Sequence, residues 1–188
     1  IGVGNGLDAL HLILRAMDIG SGDEVIVPSN TFIATWLAVS YAGATPVPVE
    51  PVDSTYNIDP NRIEAAITGK TKAIMPVHYC GQSCDMDKLI ELGQGIPIIE
   101  DAAHAFGSSY KGKAIGSFGD ATCFSFDPIK NLTCGEGGAV ALTDDGIAEL
   151  IRTKRILGID KDTWHRYRNE RSWFYEVTMQ GYRYHMSN

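Results

Sequence analysis

No apolar run in this sequence approaches the ~18 residues needed to cross a bilayer, and no basic stretch followed by an apolar one marks a secretory signal. Positive charge is also short. Against 23 Asp and Glu stand 16 Lys and Arg, a net charge of −7 with a pI near 5.1. That balance argues against nucleic acid or an anionic membrane as the main partner. The four cysteines, Cys80, Cys84, Cys123 and Cys134, form no CxxC pair and no His/Cys zinc spacing, so they read as reduced thiols in a cytoplasmic protein and no metal is expected. Internal repeats, low-complexity runs and linkers are absent. The chain opens without methionine on a strand and stops at Met186-Ser187-Asn188, so it reads as the interior of a longer protein.

What is present fits one α/β domain: 188 residues, 44% apolar and 21% charged, enough for a substantial core. Short β-rich apolar runs alternate with helical segments. Strands are expected at the opening segment, 25–28, 47–49, 73–77, 97–99, 121–126 and 139–142. Helices are expected after Asn5-Gly6 (apolar face Leu10, Leu12, Ile13, Leu14 and Met17), and over 32–42, 62–67, 85–92 and 144–157. Ser29-Asn30-Thr31 supplies a cap region for the second helix and Asp85 or Ser83 the cap of a later one. Residues 111–119 are a polar glycine-rich loop or hairpin. From Ile159 to Gln180 regularity fades and Trp164, Tyr167, Trp173, Phe174 and Tyr175 gather, as in a loop facing a substrate or a subunit. The pattern implies a three-layer αβα domain around a mostly parallel sheet, whose sites lie at the carboxyl ends of strands.

Several stretches can carry chemistry. Asn5-Gly6 precedes a helix start, where bare N–H groups suit a phosphate or carboxylate, although a purely structural turn fits the same residues. The spacing of Gly2, Gly4 and Gly6 is GxGxG, and the third glycine of the dinucleotide fingerprint would fall on Leu7. With no ribose-binding acid closing a second strand either, a nicotinamide-dependent oxidoreductase is the weaker enzymatic reading. Glu100 and Asp101 close a buried strand, where alternation lets only one of them face a given site. His104 lies within reach of Asp101 if the chain turns helical there. Lys130 is flanked by Ile129 and Leu132 between two buried strands. A desolvated amine there is a nucleophile, whereas a solvated loop lysine is the plainer alternative.

Taken together, Asp101, Ser125, Lys130 and the glycine-turn helix start are the parts needed to hold pyridoxal 5′-phosphate: an amine to bond its aldehyde, a carboxylate for its ring nitrogen, and N–H and hydroxyl donors for its phosphate.

The ordered motifs VGNGLDAL (3–10), PSNTFIATW (28–36), EDAAHAFGS (100–108), FSFDPIKNLTCGEGGA (124–139) and GYRYHMSN (181–188) resemble the DegT/DnrJ/EryC1/StrS sugar aminotransferases, of pyridoxal phosphate fold type I. The resemblance covers essentially the whole chain. It implies that Lys130 bonds the cofactor and moves the proton in transamination, and that Asp101 partners the pyridine nitrogen. Phe32 would stack on the ring with His104 beside it. Gly6 and Leu7, through their N–H groups, and Ser125 would take the phosphate. Lys130 counts against the dehydratase branch, which carries histidine there. The last motif departs from the commoner GYNYRMS: Arg183 replaces an asparagine that reaches the phosphate of the neighbouring subunit's cofactor, and His185 replaces an arginine. That form resembles the branch acting on dTDP-linked 3-keto-6-deoxyhexoses. The resemblance therefore implies a homodimer with shared sites that transfers an amino group from L-glutamate to a nucleotide-linked ketosugar. UDP- or GDP-linked 4-keto sugars are the alternative substrates, and a non-catalytic regulator is the alternative of another kind. By the same resemblance, residues 1–188 are a large domain lacking an N-terminal segment and a small C-terminal domain. Asp127, where relatives carry histidine or tyrosine, receives no role.

Overall fold

The computed structural model describes residues 1–159 and 175–187, so the expected aromatic loop lies largely outside the described residues. Along the chain, β1 (Gly2–Val3) leads into α1 (Gly6–Ala16), followed by β2 (Glu24–Pro28), α2 (Ile33–Ala42) and β3 (Thr45–Val49). Next come α3 (Pro60–Ile63), β4 (Thr71–Ile74), α4 (Met86–Gly93) and β5 (Ile99–Asp101). A small hairpin of β6 (Ser109–Tyr110) and β7 (Lys113–Ala114) precedes β8 (Ala121–Ser125), β9 (Gly138–Leu142) and α5 (Asp145–Lys154).

β2 pairs in parallel with β3 and β4, and β5 pairs in parallel with β8. Parallel bridges from Ile74 to Ile98 and from Val77 to Asp101 join the two groups, so the strands run in the order β3-β2-β4-β5-β8-β9-β1. The expected mostly parallel sheet is present, with one departure. β9 runs antiparallel to both β8 and β1, because the chain returns beside β8 without the crossover that a parallel pairing requires.

Alternation along the strands divides the core. Val25, Val27, Ala73, Met75, Ile99 and Cys123 pack with the buried residues of α1, α2 and α5. Ile26, Ile74 and Ile98 pack on the opposite face with Ile63 of α3 and Met86 and Leu89 of α4. These are the three expected layers. Each fully buried Leu or Ile contributes about 1.5–3 kcal/mol. No helix among the described residues is long and apolar enough to cross a membrane.

Caps explain most helix starts. Asn5 is extended and its side chain accepts the Asp8 N–H, Asp85 accepts from Lys88, and Asp144 accepts from Ile147. The segment expected as a helix from 62 begins earlier, at Pro60 behind the Asp59 cap, and tightens into a 3-10 turn at Glu64–Ala66. α2 is the exception to the expected capping. Its N-cap is Phe32, without a side-chain bond, and the Thr31 hydroxyl instead meets the Thr35 hydroxyl at 2.8 Å. The strand expected at 97–99 is displaced to Ile99–Asp101, which places both carboxylates within the strand.

Two titratable groups on α1, the buried His11 and the half-buried Asp8, set opposing pH dependences. His11 lies among the rings of Tyr182, Tyr184 and Tyr41. Burial, then the charge of Arg15, pushes its pKa down from 6.5 to about 4, against a small opposing contact from Tyr41. Burial pushes Asp8 up from 3.8 to about 6, against the pull of its hydrogen bond with Asn5. The depressed histidine contributes stability that is complete above pH 6.5 and is lost as the pH falls through about 4. The raised carboxyl contributes stability that is complete below pH 3.8 and is lost as the pH rises through about 6. In urea titrations of the full-length protein, His11→Phe should therefore resist acidification from pH 6.5 to 4 better than the parent, and Asp8→Asn should resist it less well. Identical slopes for parent and both variants would refute these assignments.

Candidate active site

The carboxyl ends of β5 and β8 and the N-terminal ends of α1 and α2 surround a cavity of about 660 Å³. Of the residues singled out from the sequence, Gly6, Leu7, Phe32, Asp101, His104, Ser125 and Lys130 all line it. Arg183 does not line it; that residue is exposed and bridges to Ile156.

Alternation on β5 separates the two acids. Asp101 faces the cavity, where its Oδ2 accepts the Thr35 hydroxyl at 2.8 Å and its Oδ1 accepts the Ala103 N–H at 3.1 Å. Glu100 faces away and is fully buried. Its carboxylate accepts from His78 Nε2 at 3.0 Å, the Thr122 hydroxyl at 2.9 Å, and the N–H groups of Gly119 at 2.9 Å and Phe118 at 3.3 Å. Burial would push this carboxyl up, but the bonds from His78, Gly119 and Thr122 together hold it below its usual range. His78 Nδ1 accepts the Cys84 N–H, which assigns the ring proton to Nε2, facing Glu100. The His78 and Asp101 backbones are also paired through the Val77–Asp101 bridge. The buried pair thus sits directly behind the cavity acid.

His104 is half-buried. Burial, then the charge of Lys130, lowers its pKa, while Asp101 pulls the other way. Among the described residues the hydrogen bonds to the Asp101 carboxylate come from Thr35 and Ala103 rather than from the anticipated His104.

The floor of the cavity joins β8 to the start of α1. The Cys123 thiol donates to the Gly6 carbonyl at 3.2 Å, and Ser125 follows two residues on along the same strand face. A Cβ on Gly6 would stand 3.0 Å from the Ser125 Cβ, and one on Gly138 would stand 2.6 Å from the Asn5 carbonyl. Glycine at both positions lets the helix start close on the strand. The first N–H groups of α1 have no partner within the helix and open into the cavity beside the Ser125 hydroxyl, as a phosphate requires. Burial pushes the Cys123 thiol well up and the Cys84 thiol up to about 12, so both are inert as nucleophiles. No cluster of metal-ligating side chains occurs among the described residues.

Lys130 sits on the loop between β8 and β9. Phe126 closes that loop through bonds to Gly137 and Cys134, and the Asn131 side chain ties it to the Phe106 carbonyl at 2.7 Å. Asp127, left without a role above, accepts the Ile129 N–H on its side chain and the Lys130 N–H on its carbonyl. It therefore shapes the turn that presents the lysine. The apolar flanks expected to bury Lys130 do not do so: Ile129 is 85% exposed and Leu132 43%, and Lys130 is half-buried. Ile129 borders the cavity mouth beside Lys130, so the flanks leave the amine open to the cavity instead of enclosing it.

Phe32 is 72% exposed at the cavity mouth, with its face free for a flat ring. The donor set, the buried acid and the exposed aromatic face together fit a planar ring that carries a ring nitrogen and a phosphate. Thr35, Cys123 and Tyr79 also line the cavity and escaped the sequence reading. Two of them carried a usable signal: Thr35 is polar within the otherwise apolar α2, and Cys123 stands two residues from Ser125 on one strand face.

The pattern of the DegT/DnrJ/EryC1/StrS aminotransferase family matches residues 1–188. The dTDP-3-amino-3,6-dideoxy-alpha-D-galactopyranose transaminase of Aneurinibacillus thermoaerophilus is 58% identical over 164 residues, 86% of this chain and 45% of its own length. The GDP-perosamine synthase of Caulobacter vibrioides is 48% identical over 190 residues, 100% of this chain and 48% of its own. The crystal structure of S. venezuelae DesV in complex with a ketimine intermediate matches with a TM-score of 0.88 at 46% identity, covering 99% of this chain and 48% of that one. The chain spans about half the length of the curated relatives it matches.

Proposed function

The chain belongs to the DegT/DnrJ/EryC1/StrS aminotransferase family, and from that premise we propose that the full-length protein transfers an amino group from L-glutamate to a nucleotide-linked ketosugar with pyridoxal phosphate as cofactor. The fold is the three-layer α/β arrangement of fold-type I pyridoxal phosphate transferases. The observation that carries the proposal is the convergence of Lys130, Asp101, Ser125, Phe32 and the α1 start on one cavity. Bound pyridoxal phosphate supplies an aldehyde that accepts the amino group and a ring that takes up electrons.

The residues divide the remaining work. Lys130 Nζ bonds the aldehyde and later holds and moves the proton at the reacting carbon. Asp101 accepts the ring N–H and keeps that nitrogen protonated. The N–H groups of Gly6 and Leu7 and the Ser125 hydroxyl hold the phosphate, while Phe32 covers one ring face and His104 borders the ring. In this reading residues 1–188 are the large domain of a homodimer whose sites are shared. Arg183 is exposed and lies outside its own cavity; it reaches the phosphate held by a second copy, where a guanidinium bonds bidentately.

The Arg183 motif and the relative that is 58% identical favour a dTDP-linked 3-keto-6-deoxyhexose. The Caulobacter vibrioides relative matches the whole chain at 48% identity and keeps a GDP-linked 4-keto sugar as the second reading. Product analysis of the full-length protein with glutamate and a panel of dTDP-, UDP- and GDP-linked ketosugars tests both. Amination of the dTDP-linked 3-keto sugar is expected. Amination of 4-keto sugars alone would overturn the regiochemistry, and failure of glutamate to donate would overturn the transaminase reading.

A further inference from the structure

The cavity acid is not held by its own strand alone. Thr35, nearly fully buried in α2, donates its hydroxyl to Asp101 Oδ2 at 2.8 Å, and the Thr31 hydroxyl stands 2.8 Å from that of Thr35. A hydroxyl has one proton to give. With the Thr35 proton committed to the carboxylate, its oxygen is left to accept from Thr31. The order is therefore fixed as Thr31 to Thr35 to Asp101. The second carboxylate oxygen takes the Ala103 N–H at 3.1 Å.

Phe32 lies between the two threonines in sequence, at the N-cap of α2, where no side-chain bond caps the helix. The hydroxyl chain thus spans the gap between the end of β5 and the start of α2, the elements that carry Asp101 and Phe32. Breaking it removes one of the two bonds that hold the carboxylate, together with the hydroxyl tie between the strand and the start of α2.

We propose that Thr35, oriented by Thr31, is a positioning residue that fixes Asp101 and Phe32 relative to each other and aims the Asp101 carboxylate as the acceptor for the cofactor's ring nitrogen. This rests on the reading of Asp101 as the partner of that nitrogen.

The test uses the full-length apoprotein and equilibrium titration with pyridoxal phosphate, beside thermal unfolding of the apo form. Thr35→Val keeps the shape and removes the hydroxyl, and Thr35→Ser keeps the hydroxyl. Thr35→Val is expected to weaken cofactor binding about tenfold, the effect of losing one hydrogen bond to a charged group. Thr35→Ser should stay within about twofold of the parent and Thr31→Val should fall between them, since a neutral hydroxyl pair contributes less than a bond to a charge. Apo unfolding midpoints of Thr35→Ser and Thr35→Val should not follow this order.

Asp101→Asn serves as the control. If it weakens binding while Thr35→Val does not, the positioning role is overturned and the reading of Asp101 stands. If neither weakens binding, both are overturned. Equal weakening by Thr35→Ser and Thr35→Val would also overturn the proposal, since the retained hydroxyl would then do nothing.

Discussion

Lys130→Ala in the full-length protein should lower amino transfer from glutamate by about 10²- to 10⁴-fold, the range for a positioned acid–base group, and should abolish the visible absorbance of a lysine-bound cofactor. The substitution deletes both the amine that bonds the aldehyde and the base that moves the proton. Neighbouring groups cannot replace it. Neither the imidazole of His104 nor the carboxylate of Asp101 is a primary amine that can condense with an aldehyde, and Asp101 is held by Thr35 and Ala103. Lys130→Arg should fail equally, because a guanidinium stays protonated and cannot act as a nucleophile. Stability should change little in either variant, since the lysine lies on a half-exposed loop held by Phe126, Asp127 and Asn131. Activity retained above a tenth of the parent in Lys130→Ala would remove the lysine from the chemistry.

The largest effect on stability should come from the acid that never enters the cavity. Glu100→Ala would strand the buried Thr122 hydroxyl and His78 Nε2–H and remove the acceptor of the part-buried Gly119 and Phe118 N–H groups. Stranding a buried polar group costs about 1–3 kcal/mol, and here several lose their acceptor at once. Glu100→Gln should fall between parent and alanine. Its amide keeps an acceptor for the backbone donors, but its NH₂ confronts the His78 N–H. Turning the imidazole to its other tautomer only moves the clash to the Cys84 N–H, which now donates to Nδ1. Because the folded carboxyl sits below its usual 4.5, its contribution is complete above that pH and is lost as the pH falls through the folded value. Urea midpoints of the full-length protein measure these losses. A Glu100→Ala loss below about 1 kcal/mol would show that the network holds little, against the usual penalty for stranded buried donors.

Why some parts of the fold could be read in the sequence and others could not follows from the range of the forces involved. Local signals are sufficient for α1, α4 and α5, because Asn5, Asp85 and Asp144 accept N–H groups within their own first turns. The two roles of Glu100 and Asp101 were separable because strand alternation is a local rule. The reversed direction of β9 was not legible, since a short apolar run reads alike in either direction and the partner strands decide it. α2 misled because its Ser29-Asn30-Thr31 signal points to a side-chain cap, whereas the tertiary partner Asp101 draws Thr35, and with it Thr31, into another use. The exposure of Ile129 and Leu132 has the same origin: their apolar character signalled burial, but nothing among the described residues covers the loop that carries them. Motif order brought seven of the eight candidate residues to one cavity. The eighth, Arg183, is the one the proposal assigns to a second copy.

The central claim is that Lys130 is the residue bonded to the cofactor. Loading the full-length protein with pyridoxal phosphate, reducing it with borohydride and mapping the modified peptide tests this most directly. A single phosphopyridoxyl group on the peptide containing Lys130, absent in Lys130→Ala, is predicted. Modification of a different lysine, or none after saturation with cofactor, would contradict it.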